Sequence, residues 1–292
     1  MPDDVHLARL VEPRFRLGPP LGAGAFARVH RAYDRETRRW RALKHGPDVV
    51  RLRAEGERLA RVKSPYVVES HGVLEDEAYA ALCLDLVEGP DALRYVRGPS
   101  RGASRESARR PRRNLPMAFG APLQEEGTSS YVALDAPGLA RRRGVLRGTL
   151  RALMAVHAAG LAHLDVHADN LRGARGRPLL LDFDLARPPG RVRDQAATAH
   201  ALAPELAEGR ALPASDLYAL GVFLFEALTG RAPFEGGGPA VLVHKLTVTA
   251  PRASDLVPGV PEALDALAAA LLARAPSARP HAGDALGQLG DA

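Results

Sequence analysis

The feature that most restricts the fold is a change of hydrophobic period along the chain. Residues 15–45 alternate apolar and polar side chains in three runs, separated by a glycine-rich turn and a second turn. Two further strand-like runs lie near Tyr66–Leu74 and Ala78–Leu86. Before them, over 49–63, Val50, Ala54, Leu59 and Val62 recur at helical spacing. From about Leu139 helical spacing dominates, over Leu146–Ala159, Leu217–Thr229 and Pro261–Ala273. A short strand pair near Leu171 and Leu179–Asp182 interrupts it. Side chains alternate across a strand and recur every three to four residues on a helix. A sheet followed by helices predicts an α+β chain in two lobes.

Between the two patterns lies Pro99–Pro137, rich in Ser, Arg, Pro and Gly and without periodicity. So long a loop is unusual in a compact domain, so the segment is expected to be a disordered insertion. It also explains the charge. Residues 97–113 hold seven arginines against one acid, Glu106, which equals the net charge of +6 of the whole chain. The basic character therefore belongs to one loop, which suits an acidic or anionic partner. It does not form a DNA-binding face, and no specific nucleic acid is expected.

Cys83 is the only cysteine, so no intramolecular disulfide forms and a reducing, cytoplasmic compartment is expected. The N-terminus is acidic and then mixed, unlike a signal peptide. The most apolar stretch, Ala263–Ala273, is interrupted by Asp265 and falls far short of the ~20 residues that span a bilayer. A soluble protein without a membrane partner is expected.

Three motifs carry chemistry. In Leu21–Val29 (LGAGAFARV), Gly22 and Gly24 allow a tight turn whose backbone N–H groups can face phosphate oxygens. The same residues read equally well as an ordinary turn. The run Trp40-Arg41-Ala42-Leu43-Lys44 ends a strand on a lysine, and Glu55 follows in the predicted helix. A Lys–Glu ion pair there would hold the ammonium against phosphates; a solvated edge lysine is the alternative. The third motif, His163–Asn170 (HLDVHADN) followed by Leu180–Asp184 (LLDFD), is more specific. Asp165 can orient or deprotonate a hydroxyl. Asn170 and Asp182 offer the hard oxygen ligands that Mg²⁺ prefers. Turn residues flanking apolar strands are the competing reading.

With these motifs in order, the chain resembles a eukaryotic-like Ser/Thr protein kinase of bacterial type over nearly its full length. The resemblance implies a complete single kinase domain over 1–292, with a bilobal protein-kinase-like fold. The small antiparallel-sheet N-lobe would span about 10–86, the hinge about 85–89 and the larger helical C-lobe about 90–290. It implies ATP and Mg²⁺ as cofactors and a protein substrate with a Ser or Thr acceptor. Leu21, Gly22, Gly24, Val29, Ala42, Lys44 and Glu55 would contact or support the nucleotide. Leu84 would be the gatekeeper, with backbone groups of Asp85 and Val87 on adenine. Asp165 would be the catalytic aspartate, His167 would replace the lysine that touches the γ-phosphate, and Asn170 and Asp182 would hold the metals. Ala203-Pro204-Glu205 matches the APE motif, Asp216 would brace the catalytic loop, and Arg279 would pair with Glu205.

The departures are informative. Leu164 stands where the family carries an arginine that binds an activation-loop phosphate, and residues 185–197 contain no Ser, Thr or Tyr. Activity independent of activation-loop phosphorylation is therefore expected. Thr198 lies in the segment next to the substrate and goes with Ser/Thr specificity. His167 is a pH-sensitive phosphate contact or a solvent-facing loop residue. Asp184 replaces the glycine of DFG, so a less mobile motif is expected. Arg172 falls on the apolar floor of the adenine pocket, where Leu171 would shift in to replace it. HxDxHxxN also resembles aminoglycoside and choline kinases, which generally lack the APE and SDxYxLG segments present here. An active kinase thus stands against a pseudokinase or scaffold and a small-molecule phosphotransferase. Ser100 and Ser104, each with an arginine three residues before it, are expected either as autophosphorylation or docking sites or as parts of an unstructured solvated loop.

Overall fold

The computed structural model describes residues 2–24, 26–98, 134–173, 177–192, 202–234, 236 and 239–290. The contacts divide the chain into two compact units. One holds residues up to Lys63 together with Val68–Glu88. The other holds Ser64–Val67, then 89–98, and 134 onward.

The first unit is a five-stranded antiparallel sheet with a helix on each face. Its strands are β1 (Phe15–Ala23), β2 (Arg28–Asp34), β3 (Arg39–Gly46), β4 (Ser70–Glu75) and β5 (Ala80–Asp85), in the order β1-β2-β3-β5-β4. Alternation along β3 separates two faces. Leu43, with Ala32, Ala81 and Cys83, meets Leu7 and Val11 of α1 (Pro2–Val11) in a buried cluster. Ala42 and Lys44 point the other way, toward α2 (Val49–Arg61). Asp48 caps α2 by accepting the Arg51 N–H at 3.0 Å. Gly56 lets α2 approach the sheet: a Cβ there would stand 2.8 Å from Val73 and 3.2 Å from Leu82.

Two expectations shift here. α1 is absent from the sequence reading, although Leu7, Leu10 and Val11 carry its apolar stripe. The inner face of α2 is Leu52, Glu55, Gly56 and Leu59, whereas Val50 is 74% exposed. The helix is turned so that a carboxylate, rather than Val50, faces the sheet.

The second unit is built around α6 (Pro213–Thr229), which is apolar on nearly all sides and almost wholly buried, as a central helix must be. Around it stand α3 (Ala92–Arg97), α4 (Ala136–Ala158), α5 (Pro204–Ala207), α7 (Pro239–Thr247), α8 (Ala253–Leu256), α9 (Glu262–Leu271) and α10 (Ala282–Gln288). Two small hairpins complete it: β6 (Leu171–Arg172) with β7 (Leu179–Leu180), and β8 (Gly190–Arg191) with β9 (Arg210–Ala211). α9 lies close on α6 because Gly221 has no side chain; a Cβ would come within 2.8 Å of Leu271. Buried Arg142 donates through Nε to the Ala227 carbonyl at 2.7 Å, one of the carbonyls left over in the last turn of α6.

α4 begins ten residues before the expected helical run. Asp135 caps it by accepting the Gly138 N–H at 2.7 Å, and Pro137 sits in its first turn. The expected insertion therefore ends before Ala136. Its remainder, 99–133, lies outside the described residues, as do Ser100, Ser104, Thr198 and the arginines from 101 to 113. Leu171 is fully buried while Arg172 is exposed, on opposite sides of β6. Leu171 thus does not take over the face of Arg172, because strand neighbours point apart.

Candidate functional site

In the first unit the sheet register sets Gly22 beside Val29, Val29 beside Lys44 and Lys44 beside Leu82 in one cross-strand row. Ala42 sits in a parallel row between Arg31 and Leu84. Lys44 Nζ meets both carboxylate oxygens of Glu55, at 3.0 and 2.8 Å. The Glu55 side chain is 1% exposed and that of Lys44 13%. The row and the helix facing it explain the pair: Lys44 lies on the side of β3 that α2 covers, and Glu55 on the side of α2 that meets the sheet. Leu21 is exposed, and Gly22, Val29, Leu84 and Val87 are half-buried. Gly24 has an ordinary φ, and its N–H donates to the Ala27 carbonyl at 2.8 Å. That N–H closes the turn instead of facing outward.

The Asp85 N–H donates to the Glu69 carbonyl at 2.9 Å. Its carboxylate is held by the buried Arg41 guanidinium and by His71 Nε2 at 2.8 Å. Glu69, His71 and Asp85 form the one carboxylate–imidazole group with metal-like spacing among the described residues. Arg41 already supplies the cation there.

In the second unit, the loop that follows α4 is anchored from below. Asp216, fully buried on α6, accepts the N–H groups of His163 at 2.9 Å and Leu164 at 2.7 Å, and is 2.8 Å from His157 Nε2. Leu164 sits at φ +67° and Asp182 at φ +59°, left-handed conformations that non-glycine residues adopt at a cost of about 1–2 kcal/mol. The Leu164 side chain is buried, so an apolar group occupies the position where the family places an arginine. His163 is wholly enclosed. Burial lowers its pKa against the pull of Asp216, Asp165 and Asp182, which keeps it neutral. Its Nε2 donates to the Leu181 carbonyl at 3.0 Å, which leaves Nδ1 to accept the Asp165 N–H at 3.3 Å. Its ring meets Phe183 edge-on, 4.8 Å between centroids.

These anchors bring Asp165, His167 and Asn170 together. Asn170 Nδ2 donates to the Asp165 backbone carbonyl at 2.9 Å and to its Oδ2 at 2.8 Å. His167 Nε2 lies 3.5 Å from the same Oδ2, and Nδ1 lies 3.9 Å from Asp169. Burial pulls the His167 pKa down, but Asp165, Asp169 and Asp182 outweigh it and the net shift is upward. The β6–β7 pairing and a bond from the Leu181 N–H to the Asn170 carbonyl, 2.9 Å, hold Asn170 near the strand that leads to Asp182. The Asp184 N–H donates to Asp182 Oδ1 at 3.2 Å. Farther along, Arg279 grips Glu205 through both terminal nitrogens, with the second contact at 2.9 Å, and Ser215 Oγ donates to Glu205 Oε1 at 2.7 Å. Both ends of that ion pair are buried.

Sequence reasoning missed His157 and Ser215, which hold the carboxylates of Asp216 and Glu205. It also missed the neutral tautomer of His163. His157 was legible only as the last-turn imidazole of α4; its partner lies 59 residues away.

A model of the protein kinase domain family matches residues 15–288. The chain is 29% identical over 279 residues to the serine/threonine-protein kinase PkaA of Streptomyces coelicolor, covering 86% of this chain and 45% of that protein. It is 30% identical over 286 residues to the serine/threonine-protein kinase PknL of Mycobacterium tuberculosis, covering 92% and 63%. It is 32% identical over 296 residues to the DNA damage-responsive serine/threonine-protein kinase RqkA of Deinococcus radiodurans, covering 96% and 39%. The chain thus spans less than two thirds of the length of each of these relatives. Among the described residues no helix is long and apolar enough to cross a membrane.

Proposed function

The chain belongs to the protein kinase family, and from that premise we propose that it transfers the γ-phosphate of Mg·ATP to Ser or Thr hydroxyls of a protein. The observation that carries the proposal is the arrangement around Asp165. Asn170 donates twice to Asp165, so its own amide oxygen is turned away from that carboxylate. Together with Asp182 it makes an oxygen donor set that fits a hard divalent cation. Such a cation, when bound, neutralises charge on the phosphate oxygens.

In this reading Asp165 orients the acceptor hydroxyl and accepts its proton. Lys44, held by Glu55, offers its ammonium to phosphate oxygens, and Ala42, Val29 and Leu84 provide apolar surface for the base. The Asp85 N–H is already engaged with Glu69, so the carbonyl is what Asp85 would offer to adenine. The work of the protein is positioning and charge stabilisation rather than covalent chemistry. His167 adds a titratable cation next to Asp165, where it can reach a phosphate only by leaving that carboxylate.

Independence from activation-loop phosphorylation is part of the proposal. It is supported by the buried, apolar Leu164 and by the lack of Ser, Thr or Tyr over 185–197. So is a protein rather than a metabolite as acceptor: the serine/threonine-protein kinase relatives support it, as does the buried Glu205–Arg279 clasp behind the APE motif. A reducing, cytoplasmic setting is proposed from the single buried thiol of Cys83. The test is transfer of label from γ-labelled ATP to a generic basic protein, with wild type compared to Asp165→Asn. Equal labelling by both would rule the mechanism out.

A further inference from the structure

Lys245 lies in the last turn of α7, yet only 2% of it is exposed. Its Nζ donates to the backbone carbonyl of Leu202 at 3.0 Å. The ammonium also stands 5.6 Å from the centroid of the Tyr218 ring on α6, and the Arg279 guanidinium stands 4.8 Å from the same centroid. Arg279 in turn grips Glu205 of α5. The four residues from Leu202 to Glu205 are thus held at both ends, by a lysine from α7 and by an arginine from the far end of the chain.

Burying an ammonium is unfavourable unless its contacts compensate. A leucine or methionine would fill the underside of α7 without that penalty, and the bond to the Leu202 carbonyl and the Tyr218 ring face are among the contacts that offset it. We propose that Lys245 is a positioning residue for the acceptor protein, tying α7 to the Leu202 carbonyl and so fixing the residues that lead into Ala203-Pro204-Glu205. This rests on the protein-kinase reading above, in which that segment adjoins the acceptor.

The groups around the amine give the contact a pH dependence. From α6 it faces Glu226 and the Tyr218 ring, and beyond that ring stand Arg279 and Glu205. Burial pulls the ammonium down to about 7, against the opposing pull of Glu226. Below that pH the donor is charged and the bond to Leu202 is charge-assisted; above it a neutral amine holds the carbonyl more weakly.

The experiment uses the full chain, γ-labelled ATP and a generic basic protein as acceptor, at about pH 6 and about pH 8. Lys245→Met should raise the KM for the acceptor about tenfold, with the thermal stabilisation by Mg·ATP unchanged. In wild type the acceptor KM should rise from the lower pH to the higher; in the variant it should not vary. If Lys245→Met does not fold, Lys245→Gln carries the test, because an uncharged donor should also give a KM without pH dependence. An unchanged acceptor KM in the folded variants, or an equal loss of Mg·ATP stabilisation, would overturn the proposal. If wild type labels no protein, the kinase reading fails first. Lys245 is then judged by amide exchange over 203–209: faster exchange in Lys245→Met supports the positioning role, and unchanged exchange removes it.

Discussion

The carboxylate of Asp216 accepts the N–H of Leu164 at 2.7 Å, and Leu164 is one of three non-glycine residues with positive φ among those described. A buried helix thereby supports a strained loop residue directly before Asp165. The same carboxylate accepts the His163 N–H, so two successive amides are fixed from one side. The position of Asp165 is therefore set by a group that touches neither nucleotide nor acceptor in the proposed reaction.

Replacing Asp216 with Asn removes the charge from this acceptor at nearly constant volume. We expect a loss of about 2–3 kcal/mol in stability by urea unfolding. We also expect at least a tenfold fall in kcat, with Mg·ATP stabilisation largely kept. Unaltered kcat would show that the loop geometry does not depend on this carboxylate.

Lys44→Met should abolish thermal stabilisation by Mg·ATP, because ligand binding to the native state is what raises its apparent stability. It should also destabilise the unliganded chain by about 3 kcal/mol or more, since Glu55 would be left as a buried carboxylate without its cation. Adding Glu55→Met should recover part of that loss. A double-mutant cycle by denaturant unfolding measures the coupling.

Glu205 and Arg279 form a buried, two-point ion pair. Arg279→Met alone is expected to cost about 3–5 kcal/mol, because Glu205 then stays buried without its cation, keeping the Ser215 hydroxyl. The double change to apolar residues should cost less than the sum of the two single ones, although the carbonyls of Ala214, Ala273 and Arg274 lose their donor with Arg279. A purely additive cycle would show that the pair contributes nothing beyond its two separate environments.

His167 sets a pH dependence with a definite sign. Its pKa is raised in the folded chain, burial being outweighed by Asp165, Asp169 and Asp182. The imidazolium therefore stabilises the fold fully below about pH 6.5, the ordinary histidine value. That contribution is lost as pH rises through the raised folded value. With 27% of the side chain exposed, the effect should stay below about 1 kcal/mol. His167→Asn should flatten that arm of the stability–pH curve. In wild type kcat should rise over the same interval, as the proton leaves the neighbourhood of Asp165.

Much of the first unit was legible because its signals are local. Alternation along β3 puts Ala42 and Lys44 on one face, and the helical run with Glu55 follows after a short turn. The pairing of Lys44 with Glu55 needs only that the helix cover that face. Of the apolar positions read for α2, Leu59 and Val62 are buried and Val50 is exposed, because Leu52, Glu55 and Gly56 share the face toward the sheet. α1 was missed although Leu7, Leu10 and Val11 are spaced for it. A ten-residue helix owes its stability to packing against Leu43 and Cys83 rather than to its own sequence.

In the second unit the sequence by itself singled out the residues that the proposed reaction uses, Asp165, Asn170 and Asp182, in order and at the spacing a loop and hairpin require. It also determined that Leu164 removes a charge and that residues 185–197 offer no hydroxyl. The roles of Asp216 and of the Arg279–Glu205 pair are ones the family resemblance implies, but only the tertiary structure decided the contacts that support them: His157 reaches Asp216 across 59 positions, and Lys245 reaches Leu202 across 43. Such contacts have no periodicity to read. They arise where helices distant in the chain bury polar groups together, and a buried polar group must find whatever partner the packing brings within hydrogen-bond reach.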